Sequence, residues 1–216
     1  MSLESALMDN WNVFQSDMAI KRFRKLINRL TNPHTFPYFR KDYHKIFTHK
    51  YSDLAYDYMD KLTDFTYKGV WVGINDPIYK SVYKINSILK KRVLKYNKDI
   101  YYSYPRETFY KITQEYLEKL VECSLPDKKT DTILAESLSS LNPIKVLKYF
   151  TSAKMIIVHR DPRDSFCNLI NEYSNFFPKK IEHYIKLYKD MQISTYKNTK
   201  NESVLRVNFE DLILKY

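Results

Sequence analysis

The chain has 216 residues, enough for one α/β domain with a real core, or such a domain carrying a helical insertion. Apolar residues make up 44% and aromatics 16%, which excludes a disordered chain. Lys and Arg outnumber Asp and Glu by 36 to 25, a formal charge of +11. This balance favours anionic partners: nucleotides, sulfated or phosphorylated substrates, nucleic acid or acidic lipid. A lysine-rich solvated surface is the plain alternative. The lysines are scattered rather than blocked, so nucleic acid is not the expected partner.

The two cysteines, Cys123 and Cys167, form no CxxC pair. No zinc site or disulfide framework is expected, and a reducing, cytoplasmic setting is the default. No apolar run reaches about 18 residues and no signal-peptide core opens the chain, so no membrane anchor is expected in it. Gly69 and Gly73 are the only glycines. Phosphate-cradling loops are normally glycine-rich, and no GxxxxGK or GxGxxG run is present.

In chain order, 3–9 reads as a short helix and "NVFQSDM" as a strand or extended turn. Met18, Ile20, Phe23, Leu26, Ile27 and Leu30 then recur at helical spacing over 17–31. Asn32-Pro33 ends that helix. Residues 35–66 read as aromatic and helical, and "GVWVGIN" (69–75) as a turn or short strand. Asp76-Pro77 starts a helix expected to reach about Leu94. Lys90, Lys91 and Arg92 follow its pattern as a solvated basic face. A further helix is expected from about Arg106 to Cys123.

"TDTILAES" (130–137) reads as a buried strand, and Asn142-Pro143 starts a helix ending near Phe150. A strand over 154–159 follows, then helices from Pro162 to about Tyr173 and over about 178–196. The strand "SVLRVNF" and the segment "EDLILKY" close the chain. The C-terminal half thus alternates strands and helices, the pattern of a parallel sheet with helices on its faces. The region of about 35–125 reads as an all-helical excursion from a single domain spanning 1–216.

The segment "AKMIIVHRDPRDSFCNLI" (153–170) carries the chemistry. In an open parallel sheet, ligands bind beyond the carboxyl ends of the strands. Arg160 stands at such an end. Asp161 is placed to cap the next helix and Pro162 to fill its first turn. Free N–H groups and the positive end of the helix dipole add to the arginine's planar fork of donors, so an anion site, most plausibly for phosphate, is expected. The competing reading is that Arg160 and Arg163 pair with Asp161 and Asp164 on the surface.

The order of residues, AK, apolar residues, then RDPRD, resembles the 3′-phosphate-binding segment of the sulfotransferase family. "IEHYIKLYKDM" is similar to that family's Y-x-x-L-Y-x-x-M helix, and "VLRVNFEDLI" to its VxYEDL strand and turn. "DTILAESLSSLNPIKVLKYFTSAK" resembles, more loosely, its EKTPxNxxxIxxLxxxFPxAK segment, without the lysine usual near Glu136. "LESALMDNWNVFQSDM" resembles the helix after the family's phosphate loop. That loop, PxSGTT in the family, is absent from this chain, as are the family's final helix and covering loop. The resemblance covers 3–18 and 130–216.

The resemblance implies a P-loop NTPase-like sulfotransferase fold with a large helical insertion. It implies transfer of a sulfuryl group from PAPS (3′-phosphoadenosine 5′-phosphosulfate) to a hydroxyl or amine of a small molecule, glycan or protein. It places the 3′-phosphate on Arg160 and on Asn168, which stands where the family has serine, with Ser165 and Arg163 as further donors. Asp17, and after it Glu136, are the positions implied for the base. No metal is implied. His159, beside Arg160, faces either site or core. Glu210 is read as a structural capping group. Two other readings remain: a nucleotide-dependent phosphotransferase, or a non-enzymatic basic α/β module binding nucleic acid or protein.

Overall fold

The computed structural model describes residues 2–32, 34, 49–71, 77–90, 96–105, 107–124, 133, 142–173, 178–196 and 201–215. Among the described residues it is a mixed α/β structure, mostly helical, with two small two-stranded sheets. The chain divides into two compact units, Met1–Pro126 and Asp127–Tyr216.

In the first unit, a short wide helical turn (Ser5–Asp9) precedes α1 (Val13–Thr31). The side chain of Asn12 accepts from Gln15 N at 2.8 Å, so a helix cap starts α1 where "NVFQSDM" was expected to be extended. Helix α2 (His49–Leu62) ends before β1 (Phe65–Gly69). Helix α3 (Pro77–Ile88) and β2 (Lys98–Tyr102) come next, then α4 (Phe109–Ser124). Strands β1 and β2 pair antiparallel, Phe65 opposite Tyr102 and Gly69 opposite Lys98.

This sheet corrects the all-helical reading of 35–125. Both strands are five residues long, too short for their period to show against the surrounding aromatics. Helix α3 also stops short of Leu94: Ile88 is its last residue and Lys90 takes a positive φ of 47°.

Ala19, Ile20 and Ile27 of α1, Ala55, Tyr58, Met59 and Leu62 of α2, Ile100 of β2 and Phe109 and Tyr116 of α4 form the core of this unit. Tyr58 stacks on Tyr116 with ring centroids 4.4 Å apart, and Phe23 meets both edge-on. The Tyr58 hydroxyl shares a 3.0 Å hydrogen bond with Thr113, and burial pushes its pKa up to about 12.

The second unit contains α5 (Pro143–Leu147), β3 (Met155–His159), α6 (Pro162–Tyr173), α7 (Ile181–Tyr196), β4 (Val204–Asn208) and α8 (Phe209–Leu214). Asn142 caps α5 by accepting from Lys145 N at 3.1 Å. Strands β3 and β4 are parallel and in register, Met155 beside Val204 through His159 beside Asn208. Their carboxyl ends therefore finish level. The crossover through α6 and α7 is what a parallel pair requires. Only Ile157 of β3 is buried; Ile156, Val158 and Leu205 are exposed, so this sheet has one open face. The segment expected as a strand over 130–137 lies outside the described residues, except Ile133.

Candidate functional site

The level ends of β3 and β4 open on a cleft of about 480 Å³. Its walls are His159, Arg160 and Asp161 after β3, Tyr188, Gln192 and Tyr196 along α7, and Asn208 and Glu210 after β4. The α7 residues recur four apart, so one helix face supplies them all. Such a crevice beyond parallel strand ends is where α/β sheets bind ligands.

Arg160 sits on the rim. Its guanidinium carbon lies 5.3 Å from the Phe209 ring centroid, a cation–π contact that holds the side chain across from α8. Among the described residues this guanidinium has no carboxylate partner. Its carbonyl accepts a long 3.5 Å hydrogen bond from the Tyr188 hydroxyl. Arg163 behaves in the opposite way. Asp161 accepts from Arg163 N at 2.8 Å and pairs with its Nη2 at 2.5 Å. That contact caps α6 and holds the Asp161 carboxyl down at about 2, first through the Arg163 side chain and then through the backbone N–H. Arg163 is thus committed within the turn, as the competing surface-pair reading supposed, whereas Arg160 is not.

Glu210 joins the two strand ends. Its Oε1 accepts from Asp161 N at 2.8 Å. The capping role expected of Glu210 is therefore real, but the N–H it caps belongs to the turn after β3, far away in sequence. Neither Ser165 nor Asn168 lines the cleft. Ser165 lies near the Tyr184 hydroxyl, and Asn168 is exposed on α6.

His159 lines the inner wall, and Arg206 lies behind it. They share one face of the sheet, because Arg206 pairs with Ile157 in the parallel register. Arg206 Nη1 lies 2.8 Å from His159 Nε2. Tyr196 stacks against the imidazole, centroids 5.7 Å apart, and lies 4.4 Å from the Arg206 guanidinium carbon. An arginine can only donate, so Nε2 accepts and the ring is neutral. Burial first, and the Arg206 charge second, lower the His159 pKa below its ordinary value. Gln192 Oε1 is enclosed beside this wall without a hydrogen-bond donor among the described residues.

Two positions are implied for the base. Glu136 is outside the described residues. Asp17 belongs to the first unit and is fully buried in α1. Its Oδ2 accepts from Lys21 Nζ at 2.8 Å and Trp71 Nε1 at 2.7 Å, and its Oδ1 from Tyr101 N at 2.9 Å. With both oxygens taken and no exposed surface, this carboxylate braces α1 against β2, and nothing leaves room there for an acceptor hydroxyl.

Sequence reasoning found Arg160 and Glu210 but not Phe209, Tyr188, Gln192, Tyr196, Arg206 or Asn208 as neighbours. The four-residue spacing on α7 and the alternation of Arg206 and Asn208 on β4 were the available signals. Compared with protein-family models, curated proteins and solved structures, the chain matches none.

Proposed function

We propose that the chain is a sulfotransferase-like protein with a P-loop-like α/β fold, binding PAPS and passing its sulfuryl group to a hydroxyl or amine acceptor. The observation that carries this reading is Arg160. It is a guanidinium without a carboxylate partner among the described residues, at the end of a parallel strand, on the rim of a cleft of about 480 Å³. A fixed fork of donors at a helix N-terminus suits a phosphate. The cleft volume is in the range of nucleotide-sized sites. Committing Arg163 to Asp161 leaves Arg160 as the phosphate ligand, without Ser165 or Asn168 at its side.

Arg160 holds the 3′-phosphate and so positions the donor. In the transfer, the bond from sulfur to the 5′-phosphate oxygen breaks, a bond from sulfur to the acceptor oxygen or nitrogen forms, and the acceptor loses a proton to a base. A cytoplasmic setting accompanies this reading.

The test is thermal unfolding with adenosine 3′,5′-bisphosphate, with 5′-AMP and ADP beside it. The bisphosphate is expected to stabilise the protein selectively, and Arg160→Ala to remove that response. Equal responses to all three nucleotides, or a full response in the variant, overturns the reading.

A further inference from the structure

Helix α3 contains no buried residue, although its sequence is amphipathic. Ile78 is 59% exposed, Ile85 42%, Ile88 71%, and Leu89 in the turn after it 50%. At 3.6 residues per turn these four fall on one stripe covering about a third of the helix circumference. The opposite flank is turned inward, where Tyr79 approaches Tyr96 with centroids 6.4 Å apart.

Ser81 is the only polar residue within the stripe, and its hydroxyl donates to Pro77 O at 2.9 Å. The stripe therefore presents no unsatisfied donor. Lys80 and Lys84 line one border, and Tyr83, 67% exposed, stands beyond the inward flank. Lys80, Lys84 and Lys90 make no ion pair among the described residues. The sequence from Pro77 to Lys98 contains no Asp or Glu, but it has Lys80, Lys84, Lys90, Lys91, Arg92, Lys95 and Lys98.

An exposed aliphatic stripe beside unopposed lysines matches an anionic lipid surface in both polarity and charge. A protein groove would have to bury the lysine border against carboxylates of its own. A flat anionic surface receives it without that requirement. Among the described residues no helix is long and apolar enough to cross a membrane, so the contact lies in the interface plane.

We propose that α3 is a membrane-docking element, its stripe of Ile78, Ile85, Ile88 and Leu89 entering the acyl boundary of an anionic bilayer and Lys80, Lys84 and Lys90 meeting the headgroups. Docking holds the protein reversibly at the surface, as a single short amphipathic helix does.

The test is co-sedimentation of the full chain with phosphatidylcholine vesicles, with and without phosphatidylserine, at physiological salt. The parent is expected to bind the phosphatidylserine vesicles and to lose that binding at high salt. Ile85→Glu with Ile88→Glu is expected to lower binding by roughly tenfold or more, because both the apolar contact and the local charge are spoiled. Lys80→Gln with Lys84→Gln is expected to lower it several-fold and to weaken the salt dependence. All four side chains are exposed, so the variants should unfold at the parent's temperature.

Absence of binding to anionic vesicles overturns the proposal. Undiminished binding by the glutamate variant also overturns it, since the overall charge alone would then be responsible. A dimer of the parent on gel filtration that the glutamate variant breaks, without vesicle binding, assigns the stripe to a second copy instead.

Discussion

Glu210 Oε1 accepts a hydrogen bond from Asp161 N at 2.8 Å, across 49 residues of chain. The contact fixes the turn that begins α6 to the turn that begins α8. Arg160 and Phe209 sit immediately before its two ends, so the same contact sets the cation–π pair on the cleft rim.

Glu210→Ala should therefore act on both stability and binding. Loss of a charge-assisted hydrogen bond at a half-buried position is worth about 1 kcal/mol. The urea midpoint of the second unit should fall accordingly, and affinity for adenosine 3′,5′-bisphosphate should fall with it. Glu210→Gln keeps an acceptor and should recover most of both. Recovery of neither by glutamine would mean that the carboxylate charge, rather than its geometry, is what matters.

Arg160→Ala should separate the two properties. The guanidinium is exposed, and its loss should change stability by no more than about 0.5 kcal/mol. A charge-assisted phosphate contact is worth about 1.5–3 kcal/mol, so bisphosphate affinity should drop roughly 10- to 100-fold by calorimetry. Arg163→Ala should leave affinity nearly unchanged and instead bring the Asp161 carboxyl back up from about 2 toward its ordinary value, which a carbon-detected NMR titration reads directly.

Asp17→Ala should unfold the first unit early. It removes one partner of a buried ion pair and strands the N–H groups of Trp71 and Tyr101. The cost is about 3 kcal/mol, a fall of roughly 10 °C in melting temperature for a unit of this size. Asp17→Asn keeps one acceptor oxygen and should cost less. An unchanged melting temperature in the alanine variant would contradict the bracing role.

The His159 wall predicts a pH dependence of known sign. The folded pKa lies below the ordinary 6.5, so the native state binds a proton less readily than the unfolded chain. Its contribution is fully present above about pH 6.5 and is lost as pH falls through that value toward the lower folded pKa. Urea midpoints measured from about pH 7 down to pH 5 should decline, and His159→Gln should flatten that part of the curve. Asp161 acts in a separate window. Its lowered pKa contributes stability above about 3.8, lost as pH drops toward 2.

The second unit was largely legible in the sequence, and the first was not. Asn142, Asp161 and Pro162 are capping residues in their expected places, and β3, α6, α7 and β4 follow with boundaries close to those expected. Short apolar strands bounded by caps are strong local signals. The β1–β2 pair escaped notice because Phe65, Tyr67, Tyr101 and Tyr102 continue an aromatic background that suits helix and strand alike. Its register also depends on partners 29 to 37 residues apart. Arg160 was legible because strand, aspartate and proline are contiguous. The rest of its cleft comes from α7 and β4, and only the tertiary crossover brings those residues alongside. The surroundings of Asp17 were hidden for a related reason: its donors, Trp71 and Tyr101, lie 54 and 84 residues away.

The parallel pairing of β3 and β4 also governs how the protein emerges from the ribosome. Strand β3 is complete once His159 is made, but its partner does not exist until Asn208 has followed. Through that interval Ile156 and Val158 present an apolar strand with no ladder partner in β4, the kind of segment that pairs with another copy of itself. Yield in cells should consequently depend on translation speed between these strands, and slow codons there should lengthen the exposure and lower the soluble fraction.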